Sequence, residues 1–138
     1  MAPSLAGKRI LVVDDEDSLR EILIEELAAV GAQTFQAPSG NRAADLLAQN
    51  KIDAVISDIR MPDGDGVELL KHIKFQPLPH PIVFLVTGHS DLPQDLATHL
   101  GAEALFSKPC DLKLLIETLA KSLTPQHRRQ RTAKIDCK

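Results

Sequence analysis

The chain has 138 residues, 43% apolar and 25% charged, which fits one globular domain and excludes a disordered tail protein or a fibre. Aromatic residues make up 3%, four Phe with no Trp or Tyr, which argues against nucleic-acid binding by base stacking. The net charge of −3 is uneven: residues 125–138 carry Arg128, Arg129, Arg131, Lys134 and Lys138 against Asp136 alone, so the acidic surplus lies in the first 124 residues.

In chain order, residues 1–7 (MAPSLAG) read as an amino-terminal arm without the apolar segment of a signal peptide. Ile10–Val13 predicts a first strand. Ser18 with Glu21 predicts a capping box, and Leu19, Ile22, Leu23, Leu27 and Val30 follow one apolar helix face, stopped by Gly31. Thr34–Ala37 alternates in polarity, as an edge strand does. Ala43, Ala44, Leu46 and Leu47 mark a second helix, and Ala54–Ser57 a third strand. Asp63-Gly64-Asp65-Gly66 reads as the turn opening a third helix with Val67, Leu70 and Ile73. Pro77, Pro79 and Pro81 stiffen the loop into a fourth strand, Ile82–Val86. That is the longest apolar run, far short of the roughly 18 residues a membrane span needs. Leu92, Leu96 and Leu100 mark a weaker fourth helix ended by Gly101, and Ala104–Ser107 a fifth strand. Leu112, Leu115, Ile116, Leu119 and Leu123 mark a fifth helix ended before Pro125.

Five strand–helix units in succession predict an α/β fold, a doubly wound five-stranded parallel sheet with helices on both faces. Every strand but the second is nearly continuous in apolar residues, as strands covered on both faces are. The domain therefore spans 8–123, and 124–138 reads as a basic tail or linker, either a solvated end or a contact for an acidic partner. Two cysteines, Cys110 and Cys137, form no CxxC pair and fit a reducing, cytoplasmic setting.

In such sheets ligands bind beyond the carboxyl ends of the strands. There the first strand delivers Asp14-Asp15-Glu16-Asp17, the third Asp58, the fourth Thr87-Gly88 and the fifth Lys108-Pro109. Glu16 and Asp17 are explained by a helix start, where acids favour the dipole. Asp14, Asp15 and Asp58 instead come directly off buried strands. Clustered carboxylates repel unless a cation neutralises them, and a few carboxylates with water suit Mg²⁺. A metal beside a carboxylate, with a hydroxyl and an ammonium near, suits phosphoryl transfer to that carboxylate. Competing motifs fail. There is no GxxxxGK[ST], and VVDDEDS lacks the glycines of a dinucleotide fingerprint. Aligning Gly66 with the calcium-loop glycine places Met61 and His72 at ligand positions, so that loop is no EF-hand. The five histidines show no HExxH spacing.

LVVDDE, SDIRMPDGDG, VTG and SKP, at these separations, resemble the receiver domain of a two-component response regulator across about residues 8–123. The resemblance implies the flavodoxin-like strand order 2-1-3-4-5. It implies that Asp58 accepts a phosphoryl group from a histidine kinase or histidine phosphotransfer protein. Asp14, Asp15, Asp58 and the backbone carbonyl of Arg60 would hold Mg²⁺. Thr87 would bond the phosphoryl oxygen and move on activation, Lys108 would pair with Asp58 or its phosphate, and the Lys108–Pro109 peptide would be cis. Such a receiver is not a multiple-turnover enzyme. It phosphorylates and dephosphorylates itself and engages a downstream protein through the face of the fourth helix, fifth strand and fifth helix, with no membrane or nucleic-acid contact through this domain.

Two departures matter. The residue three before the lysine is often an aromatic switch in this family and here is Leu105, while Phe106 points to the opposite face. Cys110 stands where the family usually has Phe after Lys-Pro. Arg60 and His89 occupy positions that tune dephosphorylation in relatives. Leu105 motivates an alternative, a phosphate-independent interaction module on the same fold. The chain reads as a stand-alone receiver or as one cut from a larger regulator or hybrid kinase.

Overall fold

A computed structural model describes residues 4–88 and 94–124, the side chains of 94–96 excepted. The anticipated Leu92, the Leu96 side chain, His89, Cys137 and the basic residues beyond 124 lie outside the described residues. Strands β1 (Arg9–Val13), β2 (Gln33–Ala37), β3 (Ala54–Asp58), β4 (Ile82–Thr87) and β5 (Ala104–Ser107) alternate with helices. These are α1 (Asp17–Ala29), α2 (Gly40–Gln49), α3 (Gly66–Phe75), α4 (Gln94–His99) and α5 (Leu112–Ser122). All strand pairs are parallel, as the sequence pattern predicts, and the order is β2-β1-β3-β4-β5, as the resemblance implies.

Strand alternation divides the core into two layers. Leu11, Val13, Val55, Val83 and Leu85 face one way and pack with Ala43 of α2, Leu69, Leu70 and Ile73 of α3, and Ala97 of α4. Ile10, Val12, Ala54, Ile56, Phe84 and Val86 face the other way and pack with Leu27 of α1 and Leu115, Ile116 and Leu119 of α5. Each fully buried Leu, Ile or Phe side chain contributes about 1.5–3 kcal/mol relative to exposure, so both layers are needed to hold the sheet. Leu5, in the arm, is 1% exposed, and its N–H donates to Val30 O at 2.9 Å.

Several local expectations change. Helix α1 begins at Asp17, and its cap, Glu16, makes no side-chain capping bond. The Ser18–Glu21 capping box does not form, because the Asp14 carboxylate already accepts the Glu16 N–H at 2.9 Å and the helix starts two residues earlier. The apolar face of α1 is also rotated from the expected one. Leu27 is buried, whereas Leu19 and Ile22 are 40% and 48% exposed. β5 is the second sheet edge, as the order 2-1-3-4-5 implies, but it is less covered than its apolar run suggests: Ala104, Leu105 and Phe106 are partly buried and Ser107 is exposed.

The turn 63–66 forms as expected. Asp65 caps α3 by accepting Glu68 N–H at 2.8 Å. Asp63 takes a left-handed backbone (φ 60°), held by bonds from Ser39 Oγ at 3.1 Å and Asn41 Nδ2 at 2.8 Å. No described helix is long and apolar enough to cross a membrane.

Candidate functional site

Register brings the chemistry-bearing residues to one edge. Val13 pairs with Ser57, so Asp14 leaves β1 level with Asp58 at the end of β3. Asp58 pairs with Val86, which puts Thr87 one step beyond it on β4. Thr87 pairs with Ser107, and Lys108 follows, its N–H donating to Thr87 O at 2.8 Å. The ladder that builds the sheet thus also sets the spacing of the site.

Lys108 Nζ lies 3.1 Å from Asp58 Oδ2 and 3.9 Å from Asp14 Oδ2. Asp58 is 8% exposed, and its Oδ1 accepts the Ile59 N–H at 3.1 Å. Carboxylate oxygens of Asp14, Asp15 and Asp58 lie within 4.8 Å of one another. An all-oxygen set at that spacing fits a hard divalent cation. Asp15 is exposed, Asp14 half-buried and Thr87 buried. Arg60, exposed, follows directly from Ile59, whose N–H donates to Val86 O at 2.9 Å. The Lys108–Pro109 peptide is cis, the isomer the resemblance implied, with Pro109 exposed. Leu105 packs in the layer of α2 and α3 and Phe106 in that of α1 and α5, where its ring meets Phe84 at 5.5 Å between centroids.

Burial pushes the Asp14 carboxyl above its ordinary value of 3.8, and the charges of Asp58 and Asp15 push the same way. The Glu16 N–H and the Lys108 ammonium pull it down without cancelling that effect. Burial also works against the Lys108 charge. Here the hydrogen bond and charge of Asp58, joined by Asp14 and Glu16, prevail and hold the ammonium above the ordinary lysine value of 10.5. Burial, followed by Asp111, raises the Cys110 thiol, which agrees with an apolar filler and not a reactive thiol.

A stability prediction follows from Asp14. A raised carboxyl pKa means that folding favours the protonated acid, so stability is lost as pH rises from 3.8 through the raised folded value. In metal-free buffer at pH 7, Asp14→Asn is expected to melt a few degrees above the parent chain, the difference vanishing below about pH 4. Calorimetry over pH 3–7 checks this, and equal melting at pH 7 would contradict the strain assigned to this carboxylate.

A cleft of about 910 Å³ lies away from this site. Asp53 and Pro81, which line it with residues of α2 and α3, precede β3 and β4, so it lies at the opposite, amino end of the sheet. Sequence reasoning missed Arg20, whose guanidinium donates to the Asp14 carbonyl, Gln36 Oε1 and Asp17 Oδ1. The only cue was an arginine three residues after an acid at a helix start, a spacing common on helix surfaces.

Comparison with known proteins places these observations in a family. Residues 10–120 match the response regulator receiver domain. The chain is 33% identical over 120 residues to sporulation initiation phosphotransferase F of Bacillus subtilis, covering 86% of this chain and 96% of that protein. It is 32% identical over 133 residues to response regulator protein PilR of Pseudomonas aeruginosa, covering 96% of this chain and only 30% of PilR. Among solved structures, the signal receiver domain of an HD domain-containing protein from Pseudomonas fluorescens Pf-5 superposes with a TM-score of 0.78 at 32% identity, covering 88% of this chain and 98% of that one. With a matched segment that runs from Ile10 of β1 through the four later strands and takes in the carboxylate-bearing edge, the chain belongs to the response regulator receiver domains, the signalling modules of two-component systems.

Proposed function

We propose that residues 8–123 act as a phosphorylation-controlled receiver in which Asp58 accepts the phosphoryl group, with 124–138 as a tail or linker. The observation that carries this reading is the Lys108–Asp58 contact at 3.1 Å beside two further carboxylates. One Asp58 oxygen forms the new P–O bond while the P–N bond of the donor phosphohistidine breaks and its electron pair leaves with the imidazole. Asp14, Asp15, Asp58 and the Arg60 carbonyl would hold Mg²⁺, which when bound neutralises phosphoryl oxygens. Lys108 neutralises charge from the other side and Thr87 donates a hydrogen bond to a phosphoryl oxygen. The donor would be a histidine kinase or phosphotransfer protein in the cytoplasm. The output would pass to a downstream protein through the α4–β5–α5 face, by differential binding of two arrangements.

With Mg²⁺ and acetyl phosphate, the protein is expected to gain the mass of one phosphoryl group, and Asp58→Ala to gain none. Equal gain in the variant, or none in the parent chain, would sink the assignment. A second reading, a phosphate-independent interaction module, is favoured by Leu105, an aliphatic side chain packed into the α2–α3 layer. It predicts that the beryllofluoride complex binds a partner no differently from the free protein.

A further inference from the structure

One side chain beside the carboxylates has no role in that reading. The Arg20 guanidinium bridges three elements. It donates to the main-chain carbonyl of Asp14 beyond β1, to Gln36 Oε1 on β2 at 2.9 Å and to Asp17 Oδ1 on α1 at 2.6 Å. Its side chain is 12% exposed, whereas that of its acidic partner Asp17 is 79% exposed. A surface ion pair with Asp17 would not need this burial; the bond to the Asp14 carbonyl, itself partly buried, does.

The bonds around Asp14 show what is being held. Its N–H donates to Ala37 O at 3.2 Å, its C=O accepts from Arg20, and its Oδ1 accepts the Glu16 N–H at 2.9 Å. Oδ2 faces the site, 3.9 Å from Lys108 Nζ. A planar fork can serve acceptors on three elements at once, whereas a lysine ammonium is a point charge on a flexible stem.

We propose that Arg20 is a positioning residue for Asp14, fixing its main chain so that Oδ2 is presented toward Asp58 and the cation. The inference rests on the reading of the acidic cluster as a divalent-cation site. Charge alone would act in the opposite sense. A guanidinium near carboxylates weakens the binding of a second cation, so neutralising Arg20 would tighten Mg²⁺ if its charge were its only contribution. Positioning predicts weaker binding instead, as loss of outer-shell support does at metal sites.

The test is calorimetric titration of Mg²⁺ into the full chain, the Arg20→Gln and Arg20→Lys variants and the milder Gln36→Ala, with folding checked by far-UV circular dichroism. Arg20→Gln and Arg20→Lys are expected to bind Mg²⁺ about tenfold more weakly, and Gln36→Ala less so in the same direction. Unchanged or tighter binding in Arg20→Gln and Arg20→Lys would overturn the proposal. Amide hydrogen exchange at Glu16 supplies a metal-free readout, expected to be several-fold faster in Arg20→Gln and Arg20→Lys because the turn through Asp14 Oδ1 loosens. If the parent chain takes up no Mg²⁺, the cation reading fails while the Glu16 amide still decides whether Arg20 holds Asp14. Unchanged exchange there would overturn the positioning role in either case.

Discussion

Gly66→Ala is expected to unfold at a much lower temperature than the parent chain and to lose phosphorylation at Asp58. A methyl group at position 66 would overlap the Asp58 carbonyl oxygen and lie 3.0 Å from Ile59 Cα and 3.1 Å from the Asp58 carbonyl carbon. All three are main-chain atoms at the end of a strand paired on both sides. The Gly66 N–H also donates to Ile59 O at 2.8 Å, so the helix start cannot simply back away. Overpacking against backbone that cannot yield costs about 3 kcal/mol, which for a domain this size lowers Tm by roughly 10 °C. Any relief must come from moving Asp58, so phosphoryl uptake from acetyl phosphate should fail even where the variant is folded. Gly88→Ala is the control. Among the described residues its methyl would meet only Lys108 Cδ, at 3.8 Å, and melting should be close to that of the parent chain. A Gly66→Ala protein with unaltered Tm would show that the α3 start is looser than its hydrogen bonds indicate.

Lys108→Met is expected to slow phosphoryl uptake by about 100-fold, the scale seen when one fixed electrostatic donor is removed from a transition state. Methionine keeps the stem and removes the charge that faces Asp58 and Asp14. Stability also falls, by about 1 kcal/mol, a modest figure because the pair is partly open to water. The pH dependence separates this ion pair from lost packing. A lysine pKa raised by folding contributes stability that is fully present below 10.5 and is lost as pH rises through the raised folded value. The gap in Tm between the parent chain and Lys108→Met should therefore be level across neutral pH and close only in strongly alkaline solution. A gap that persists unchanged there would point to packing of the stem.

The fold was legible because each strand states its burial in its own residues. Ile82–Val86 and Ala54–Ser57 are continuous in apolar side chains and lie inside the sheet, and Thr34–Ala37 alternates and lies at its edge. Ala104–Ser107 was less legible from its own residues, because ALFS is as apolar as an inner strand although no described strand pairs beyond it. The candidate site was legible to the extent that it hangs from strand ends, since Asp14, Asp58, Thr87 and Lys108 follow from register alone. What stayed hidden depends on side chains meeting from distant parts of the chain. Arg20 reaches Gln36 across sixteen residues, and Ser39 reaches Asp63 across twenty-four. The start of α1 was obscured for a related reason. Asp14 supplies the first turn's hydrogen bond from outside the helix, so the local capping pattern at Ser18 had no work to do.

The edge position of β5 has a mechanical consequence. Shifting any of β1, β3 or β4 along the sheet would break hydrogen bonds with two neighbours, but shifting β5 disturbs only its four-residue ladder with β4. Of the strands that feed the site, β5 is therefore the most compliant, and it is also the one that carries Lys108. Its adjacent residues Leu105 and Phe106 are seated in opposite core layers, so a small slide or roll of β5 would be felt by the packing on both sides of the sheet at once.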